Sequence, residues 1–206
     1  KKMLEEKYGR NDLRLIPNGV VIPDPVPPGK ILRKFRLQPG KYVLAACRFV
    51  PEKGLLDLIS AYQRLENPEF KLVLAGGADH ENTTSRAITA AASQDERIIL
   101  PGFLTGAALA ELFSNTGLFV LPSYHEGLPI ALLEAMSYRL PLLASDIAPN
   151  LEVPLPEKRY FPTGDVARLS EKLEELYREG ISERERRSRR RFSAGSMIGT
   201  GSPGKP

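Results

Sequence analysis

Cysteine and long apolar runs are nearly absent from this chain of 206 residues. Its single cysteine, Cys47, cannot form a disulfide within the chain, which suits a reducing compartment. No apolar run approaches the roughly 20 residues of a membrane-spanning helix, and the first residues, KKMLEEKYGR, hold no apolar stretch of the signal-peptide type. We therefore expect a cytoplasmic protein, whose full-length form can also be peripheral to the membrane.

The motifs of several common nucleotide and metal sites are missing as well. The two histidines, His80 and His125, form no ligand cluster with the one cysteine, and no Asp-x-Asp pair occurs, so neither a metal nor a cofactor is expected. No Gly-x-x-x-x-Gly-Lys-Ser/Thr loop is present, which argues against a P-loop NTPase. No Gly-x-Gly-x-x-Gly follows the first predicted strand, which argues against a dinucleotide-dependent dehydrogenase.

What is present is a regular alternation of short apolar runs with segments of helical periodicity. Apolar residues make up 42% of the chain, enough for a sizeable core, and the net charge of +4 is compatible with an anionic ligand. The predicted strands are Tyr42–Cys47, Phe70–Gly77, Arg97–Leu100, Leu118–Pro122 and Pro141–Ser145. The predicted helices are Glu52–Leu65, Thr84–Ser93, Thr105–Phe113, Pro129–Tyr138 and Asp165–Glu179. This alternation predicts an α/β, Rossmann-like fold with a doubly wound parallel sheet and flanking helices.

The same pattern divides the chain into four parts. Residues 1–29 contain a short charged helix over Lys1–Tyr8 and a proline-rich stretch that favours an extended linker. Residues 30–180 are predicted to form the Rossmann-like domain. Residues 181–192, with the run ERERRSRRR, are expected to form a basic helix, and the Gly/Ser-rich residues 193–206 are expected to be disordered or aberrant.

Residues suited to bind the anionic and hydroxyl groups of a ligand follow the predicted strands. The carboxyl ends of these strands share one edge of a parallel sheet. These loops carry, in chain order, Arg48, Lys53, Gly76, Gly77, Phe103 and Glu126. Two cations in one loop suit a diphosphate, because guanidinium and ammonium groups both bind phosphate oxygens. The alternative is a solvated charged turn in which Glu52 pairs with one of the two cations.

The stretch YHEGLPIALLEAM places Glu126 on a turn and Glu134 inside a helix. Pro129 fits the first helical position, and the start of that helix offers free N–H groups to a phosphate. Ionised carboxylates accept hydrogen bonds from sugar hydroxyls, so the two glutamates can hold different parts of one elongated ligand. The alternative is an exposed helical Glu134, which its apolar neighbours Leu133 and Met136 disfavour.

The two motifs RFVPEKG, at Arg48–Gly54, and EGLPIALLEAM, at Glu126–Met136, resemble a known family when they occur in this order. They are similar to the nucleotide-sugar-binding, C-terminal half of the retaining family 4 glycosyltransferases, which are GT-B enzymes of two Rossmann domains. The resemblance extends from IPNGV, at Ile16–Val20, to about Glu179. It implies transfer of a sugar from a nucleotide diphosphate sugar to an acceptor, with retention of anomeric configuration and without a bound metal.

The resemblance also implies roles for individual residues. Arg48 and Lys53 would neutralise the donor diphosphate, and Glu126 would hold hydroxyl groups of the donor sugar; these three form the implied catalytic set. Glu134 would bind the ribose hydroxyls. The backbone around Phe103 and Leu104 would read the base. The other implied donor-binding residues are Gly76, Gly77, Ser123, Gly127, Leu128, Pro129 and Ile130.

The family pattern includes an N-terminal Rossmann domain that these residues do not contain, so we expect the isolated chain to bind donor without turnover. A non-catalytic nucleotide or nucleotide-sugar binding module is the alternative. Nucleic-acid binding through ERERRSRRR is not expected, because acids interrupt the run and aromatics are lacking. A related GT-B epimerase or phosphorylase is disfavoured by the paired motifs. The base, the sugar and the acceptor stay open.

Two segments depart from the family pattern. Arg139 stands where the family usually has glycine, and a helix end there favours a left-handed residue. Met197–Pro203 can be encoded so that a one-base shift reads Tyr-Asp-Trp-Asp-Arg-Ile-Ala, which resembles the family's C-terminal helix. A frameshift in the tail is therefore a hypothesis that the coding DNA would test.

Overall fold

The computed structural model describes residues 2–12, 14, 19–66 and 70–179 of the chain. The predictions of a basic helix over 181–192 and of an aberrant or frameshifted tail over 193–206 fall outside these residues. Among the described residues, none of the helices is both long enough and apolar enough to cross a membrane.

A parallel sheet of six strands forms the centre of the described part, with the order β3-β2-β1-β4-β5-β6. The strands are β1 (Tyr42–Ala46), β2 (Lys71–Ala75), β3 (Ile98–Gly102), β4 (Leu118–Leu121), β5 (Leu142–Ser145) and β6 (Tyr160–Phe161). The helices are α1 (Lys2–Tyr8), α2 (Lys30–Lys34), α3 (Leu55–Gln63), α4 (Thr83–Ser93), α5 (Gly106–Asn115), α6 (Ile130–Ser137), α7 (Ala148–Leu151) and α8 (166–179). The predicted α/β fold with a doubly wound parallel sheet is confirmed.

The strands are largely apolar, as expected of a parallel sheet whose two faces are both covered by helices. Successive residues of β1 point to opposite faces: Val43 packs in a core with Leu58 of α3 and Leu173 of α8. Leu44 packs in a second core with Leu112 of α5 and Leu132 of α6. The strand order reverses direction between β1 and β4, and such a switch point opens a crevice at the carboxyl edge of the sheet.

A buried carboxylate holds the start of α2 in place. Glu111, on α5, accepts hydrogen bonds from the N–H groups of Gly29 (2.7 Å), Ile31 (3.3 Å) and Leu32 (2.9 Å). These are N–H groups at the start of α2, which would otherwise lack partners. The preceding residues 19–29 contain no helix or strand, as the proline-rich sequence predicts.

Three details differ from the sequence prediction. The segment predicted as a helix from Glu52 starts with a 3-10 turn at Pro51–Lys53, and α3 begins only at Leu55 because Gly54 is left-handed (φ 61°). Pro129 precedes the first helical residue of α6 instead of occupying it. The short elements α2, α7 and β6 were not predicted, since a few residues carry too little periodicity to be recognised. The expected left-handed conformation of Arg139 is confirmed (φ 57°).

Candidate functional site

The loops that follow β1 and β4 meet at the switch point of the sheet. The N–H groups of Tyr124 and His125 donate to the carbonyl of Glu52, at 2.8 and 3.3 Å. A Cβ on Gly54 would lie 2.1 Å from the carbonyl oxygen of Pro122, so only glycine permits this approach of the two loops. The two sequence motifs therefore form one structural unit.

Lys53, Glu126 and Ser123 make a hydrogen-bonded cluster inside this unit. The Nζ of Lys53 lies 2.7 Å from Oε1 of Glu126, with side-chain exposures of only 17% and 8%. The hydroxyl of Ser123 donates to the same oxygen at 2.6 Å. Lys53 thus pairs with Glu126 and not with Glu52. Ser123 is fully buried, so in this structure its hydroxyl contacts Glu126 and does not face the solvent.

A cavity of about 530 Å³ lies beside this cluster, at the ends of β1, β2 and β3. It is lined by Ala46, Cys47, Arg48, Ala75, Gly76, Gly77, Ala78, Asp79, Phe103, Leu104, Leu109 and Glu134. Six of the predicted site residues therefore share one cavity, namely Arg48, Gly76, Gly77, Phe103, Leu104 and Glu134. Lys53 is not among the lining residues, so the two predicted diphosphate cations do not face the same cavity here.

Cys47 connects the cavity with the buried cluster. Burial raises the pKa of the Cys47 thiol to about 12, while Lys53 lowers and Glu126 raises the same pKa through their charges. The thiol is therefore neutral at physiological pH, and both charged groups lie close enough to influence it. The cavity and the Lys53–Glu126 pair are thus neighbouring parts of one site.

Glu134 forms one wall of the cavity from the second turn of α6. Its carboxyl group is partly buried and makes no hydrogen bond or ion pair to any other part of the described chain. Burial raises the pKa of Glu134 above its usual value, since the ionised form loses water without gaining a partner. A carboxylate in this state is suited to accept hydrogen bonds from the hydroxyl groups of a ligand.

Arg48 is the exposed cation of the cavity. Its Nη1 lies 4.0 Å from Oδ2 of Asp79, and both side chains are largely in solvent, at 67% and 81% exposure. Such a pair is worth about 0–1 kcal/mol, so a ligand phosphate can replace the aspartate as its partner. Asp79 was not predicted as a site residue, although it follows the two glycines that were.

Gly76 and Gly77 have different roles in the cavity wall. Gly76 has a φ of 143°, and a Cβ there would lie 1.8 Å from the carbonyl oxygen of Cys47, so this glycine lets the β1 and β2 loops touch. A Cβ on Gly77 would meet nothing within 4 Å. Gly77 therefore leaves open space beside the cavity, where a ligand can approach the backbone.

The start of α6 and the loop after β3 carry the remaining predicted residues. Leu128 and Ile130 are 40% and 56% exposed, whereas Pro129 is buried. The N–H of Ile130 donates to the carbonyl of Leu128 at 2.8 Å, so in this conformation it is already engaged. Phe103 extends into solvent at the cavity rim, with 79% of its surface exposed. Gly127, also exposed, has open space around it.

Metal ligands do not cluster in the part of the chain that is described: it contains no group of three or more His, Cys, Asp and Glu residues able to hold a metal ion. Metal-independent chemistry itself stays a prediction of the family resemblance.

A doubly wound parallel sheet with charged loops at its switch point defines a domain of the Rossmann-like class, in which ligands bind at this edge of the sheet. Residues 30–193 match the family described as Glycosyl transferases group 1, and the chain belongs to this family. The O-antigen chain mannosyltransferase B of Escherichia coli is 28% identical over 126 residues, an alignment that covers 60% of this chain and 33% of that protein. The chain thus spans about a third of the length of this relative.

Solved structures of glycosyltransferases share the fold. The apo form of the lipopolysaccharide outer core galactosyltransferase WaaB superposes with a TM-score of 0.63 at 23% identity, over 82% of this chain and 47% of that one. Anabaena HepE in complex with UDP superposes with a TM-score of 0.63 at 19% identity, over 74% of this chain and 42% of that one. At these identities the likeness concerns the fold alone.

Proposed function

We propose that this chain is the donor-binding, C-terminal half of a retaining glycosyltransferase, whose full-length form transfers a sugar from a nucleotide diphosphate sugar to an acceptor. One observation carries the proposal: Arg48 and Glu134 line a single cavity at the switch point of the sheet, beside the Lys53–Glu126 pair. Membership of the glycosyltransferase family supports it. Since the chain spans 33% of the mannosyltransferase, transfer is proposed for the whole protein.

The nucleoside would occupy the part of the cavity between Glu134 and Phe103. The carboxylate of Glu134, which forms no hydrogen bond with any other described residue, can accept hydrogen bonds from the two ribose hydroxyls. Phe103 offers an exposed ring at the rim, and the backbone at Leu104 supplies polar groups for the edge of a base. The UDP bound to HepE is consistent with a nucleoside diphosphate as the ligand of this fold.

The diphosphate would lie between the cavity and the start of α6. Arg48 can exchange its weak contact with Asp79 for two phosphate oxygens, because a guanidinium binds them in a bidentate manner. Lys53 has further N–H donors beyond the one that it gives to Glu126. The first turn of α6, beginning at Ile130, adds the positive end of a helix dipole.

The sugar would then meet Glu126, next to the leaving diphosphate. Glu126 acts as a hydrogen-bond acceptor for sugar hydroxyls, and we assign it no role as a nucleophile. The barrier to transfer would fall because cations stabilise charge that develops on the diphosphate, and because the sugar is held in a fixed position. No step requires a bound metal.

The test is a thermal-shift panel of UDP, GDP, ADP and their sugar conjugates, on this chain and on Glu134→Ala. A ligand at 100 times its dissociation constant stabilises the fold by about 2.7 kcal/mol. We expect a shift with one base that Glu134→Ala reduces and that the matched control Glu66→Ala, an exposed residue after α3, leaves unchanged. A chain that shifts with no nucleotide would contradict donor binding.

A non-catalytic nucleotide-sugar binding module is the second candidate, because the described site supplies groups for a donor only. We expect the isolated chain to bind donor and to show no turnover. Detectable sugar transfer or steady donor hydrolysis by the isolated chain would contradict this expectation. A full-length protein that binds donor but transfers to no acceptor would favour the second candidate.

A further inference from the structure

A buried chain of hydrogen bonds connects α7 with Glu126. The Nδ2 of Asn150 donates to the hydroxyl of Ser145 at 3.1 Å and to its carbonyl at 3.0 Å. The hydroxyl of Ser145 donates to the carbonyl of Ser123 at 2.5 Å. The hydroxyl of Ser123 in turn donates to Oε1 of Glu126 at 2.6 Å. We name Asn150, Ser145 and Ser123 the polar relay.

Each member of the polar relay is completely inaccessible to solvent. The relay joins the carboxyl ends of two neighbouring strands, since Ser123 follows β4, Ser145 ends β5 and Asn150 belongs to α7. The hydroxyl of Tyr160, on β6, lies 3.1 Å from the carbonyl oxygen of Asn150, but its shorter hydrogen bond, at 2.5 Å, goes to the carbonyl of Val153. The relay therefore connects the buried side chain of Asn150 with a charged group at the switch point of the sheet.

The relay acts on only one oxygen of Glu126. Both Ser123 and Lys53 donate to Oε1. Within the described chain, both hydrogen bonds to this carboxylate go to Oε1 and none goes to Oε2. Because Oε1 is held by two donors, the carboxylate has a fixed orientation, and Oε2 can accept a hydrogen bond from a ligand in a fixed direction.

One feature of Asn150 indicates a role other than stabilising the fold. Its Oδ1 is buried and has no hydrogen-bond partner within the described residues. A buried acceptor without a partner destabilises a protein, and each such group calls for an explanation. The cost of the unpaired Oδ1 is explained if the Nδ2 of the same amide is needed to orient Ser145.

We infer that Asn150, Ser145 and Ser123 are positioning residues, which hold Oε1 of Glu126 so that Oε2 meets a hydroxyl of the donor sugar. This inference rests on the proposed function. The relay reaches the Glu126 carboxylate, which is proposed to hold the sugar, and lines no part of the cavity that is proposed for the nucleoside. Damage to the relay should therefore weaken binding of the nucleotide sugar and spare binding of the nucleoside diphosphate.

The experiment measures dissociation constants by calorimetry for the nucleoside diphosphate identified by the thermal-shift panel and for its sugar conjugate. Ser123→Ala and Asn150→Ala each remove one link. Ser145→Ala removes the central hydroxyl, and Ser145→Thr retains it. Thr116→Val is the matched control, since Thr116 has a fully buried hydroxyl near the amino end of β4, 2.9 Å from the carbonyl oxygen of Tyr42 and 3.0 Å from that of Leu118.

We expect the three alanine variants to lose about tenfold in affinity for the sugar conjugate, the size expected when one hydrogen bond to a charged group is lost. Their affinity for the diphosphate alone should stay unchanged. Ser145→Thr and Thr116→Val should resemble the native chain for both ligands. The double variant Ser123→Ala/Asn150→Ala should lose no more than either single variant, since both break the same chain.

The opposite results separate the two hypotheses. A native chain that binds neither ligand would overturn the proposed function itself. If the native chain binds both ligands but the alanine variants lose affinity for both equally, or for neither, the relay has no positioning role. The positioning role would also be overturned if the losses of affinity in Ser123→Ala and Asn150→Ala were additive in the double variant.

Discussion

The Nζ of Lys53 lies 2.7 Å from Oε1 of Glu126, although the two residues are 73 positions apart in the sequence. The contact joins the loop after β1 to the loop after β4 and spans the switch point of the sheet. Both side chains are largely buried, so water screens their attraction only weakly. The pair that is proposed to act on the donor therefore also joins the two loops of the site.

Lys53→Met should destabilise the fold by about 3 kcal/mol, because it leaves Glu126 as a buried charge without its cation. Urea unfolding would measure the change. Lys53→Met/Glu126→Gln should recover most of the loss, since no charge is then left unpaired. Arg48→Ala is the matched control: its exposed side chain predicts a change within about 0.5 kcal/mol. Equal effects of Lys53→Met and Arg48→Ala would contradict the buried pair.

Glu134→Gln should change how stability depends on pH. Burial raises the pKa of Glu134 in the folded chain above the unfolded value, so the folded state binds the proton more tightly. The contribution of Glu134 to the free energy of unfolding is therefore most favourable below about pH 4.3, the pKa of an unfolded glutamate. It falls as the pH rises towards the pKa in the folded chain. Glu134→Gln should remove this fall, and unfolding curves between pH 4 and 8 would show it. A native profile identical to that of the variant would contradict the shift.

The same residue should make donor binding depend on pH in the opposite direction. Ribose hydroxyls donate to the ionised carboxylate, so affinity should rise as Glu134 loses its proton, by about 10-fold or more if one charged hydrogen bond is gained. Glu134→Gln should bind more weakly and without this dependence. Glu66→Gln, at an exposed position, should retain the native dependence. Titration calorimetry at several pH values would check the slope.

Gly54→Ala should disrupt the junction of the two loops. The new Cβ would lie 2.1 Å from the carbonyl oxygen of Pro122, and the φ of 61° is itself unfavourable for alanine by about 1–2 kcal/mol. We expect a total loss of stability of more than about 2 kcal/mol, with weaker donor binding, in thermal or urea unfolding. Gly127→Ala, which has open space around it, should unfold like the native chain. A Gly54→Ala variant of native stability would contradict the close approach.

Arg139→Gly should stabilise the chain by up to about 1 kcal/mol. Arg139 is held in the left-handed region at the end of α6, where a residue with a Cβ is strained and glycine is not. Part of the gain is lost because glycine is more flexible in the unfolded state. Arg139→Ala retains the Cβ and should not increase stability. If both variants raise the midpoint of unfolding equally, the backbone strain is not the cause.

The sequence predicted the central strands and the site loops because their signals are local. Apolar runs such as Tyr42–Cys47 must be buried, and helical periodicity between them leaves few topologies other than a parallel sheet. Gly54 was missed as a helix boundary, since its conformation depends on Pro122, a residue distant in sequence. The strand β6 was missed because two residues carry no recognisable pattern.

The sequence by itself determined which chemical groups stand at the carboxyl edge of the sheet, because strand ends and loop composition follow from short-range patterns. Only the tertiary structure decided how these groups combine: Lys53 with Glu126, Arg48 with Glu134 around one cavity, and Ser123 buried beneath the site. The polar relay through Ser145 and Asn150 had no sequence signal at all. Hydrogen-bond partners of this kind come from different strands, and packing of the whole sheet brings them within reach.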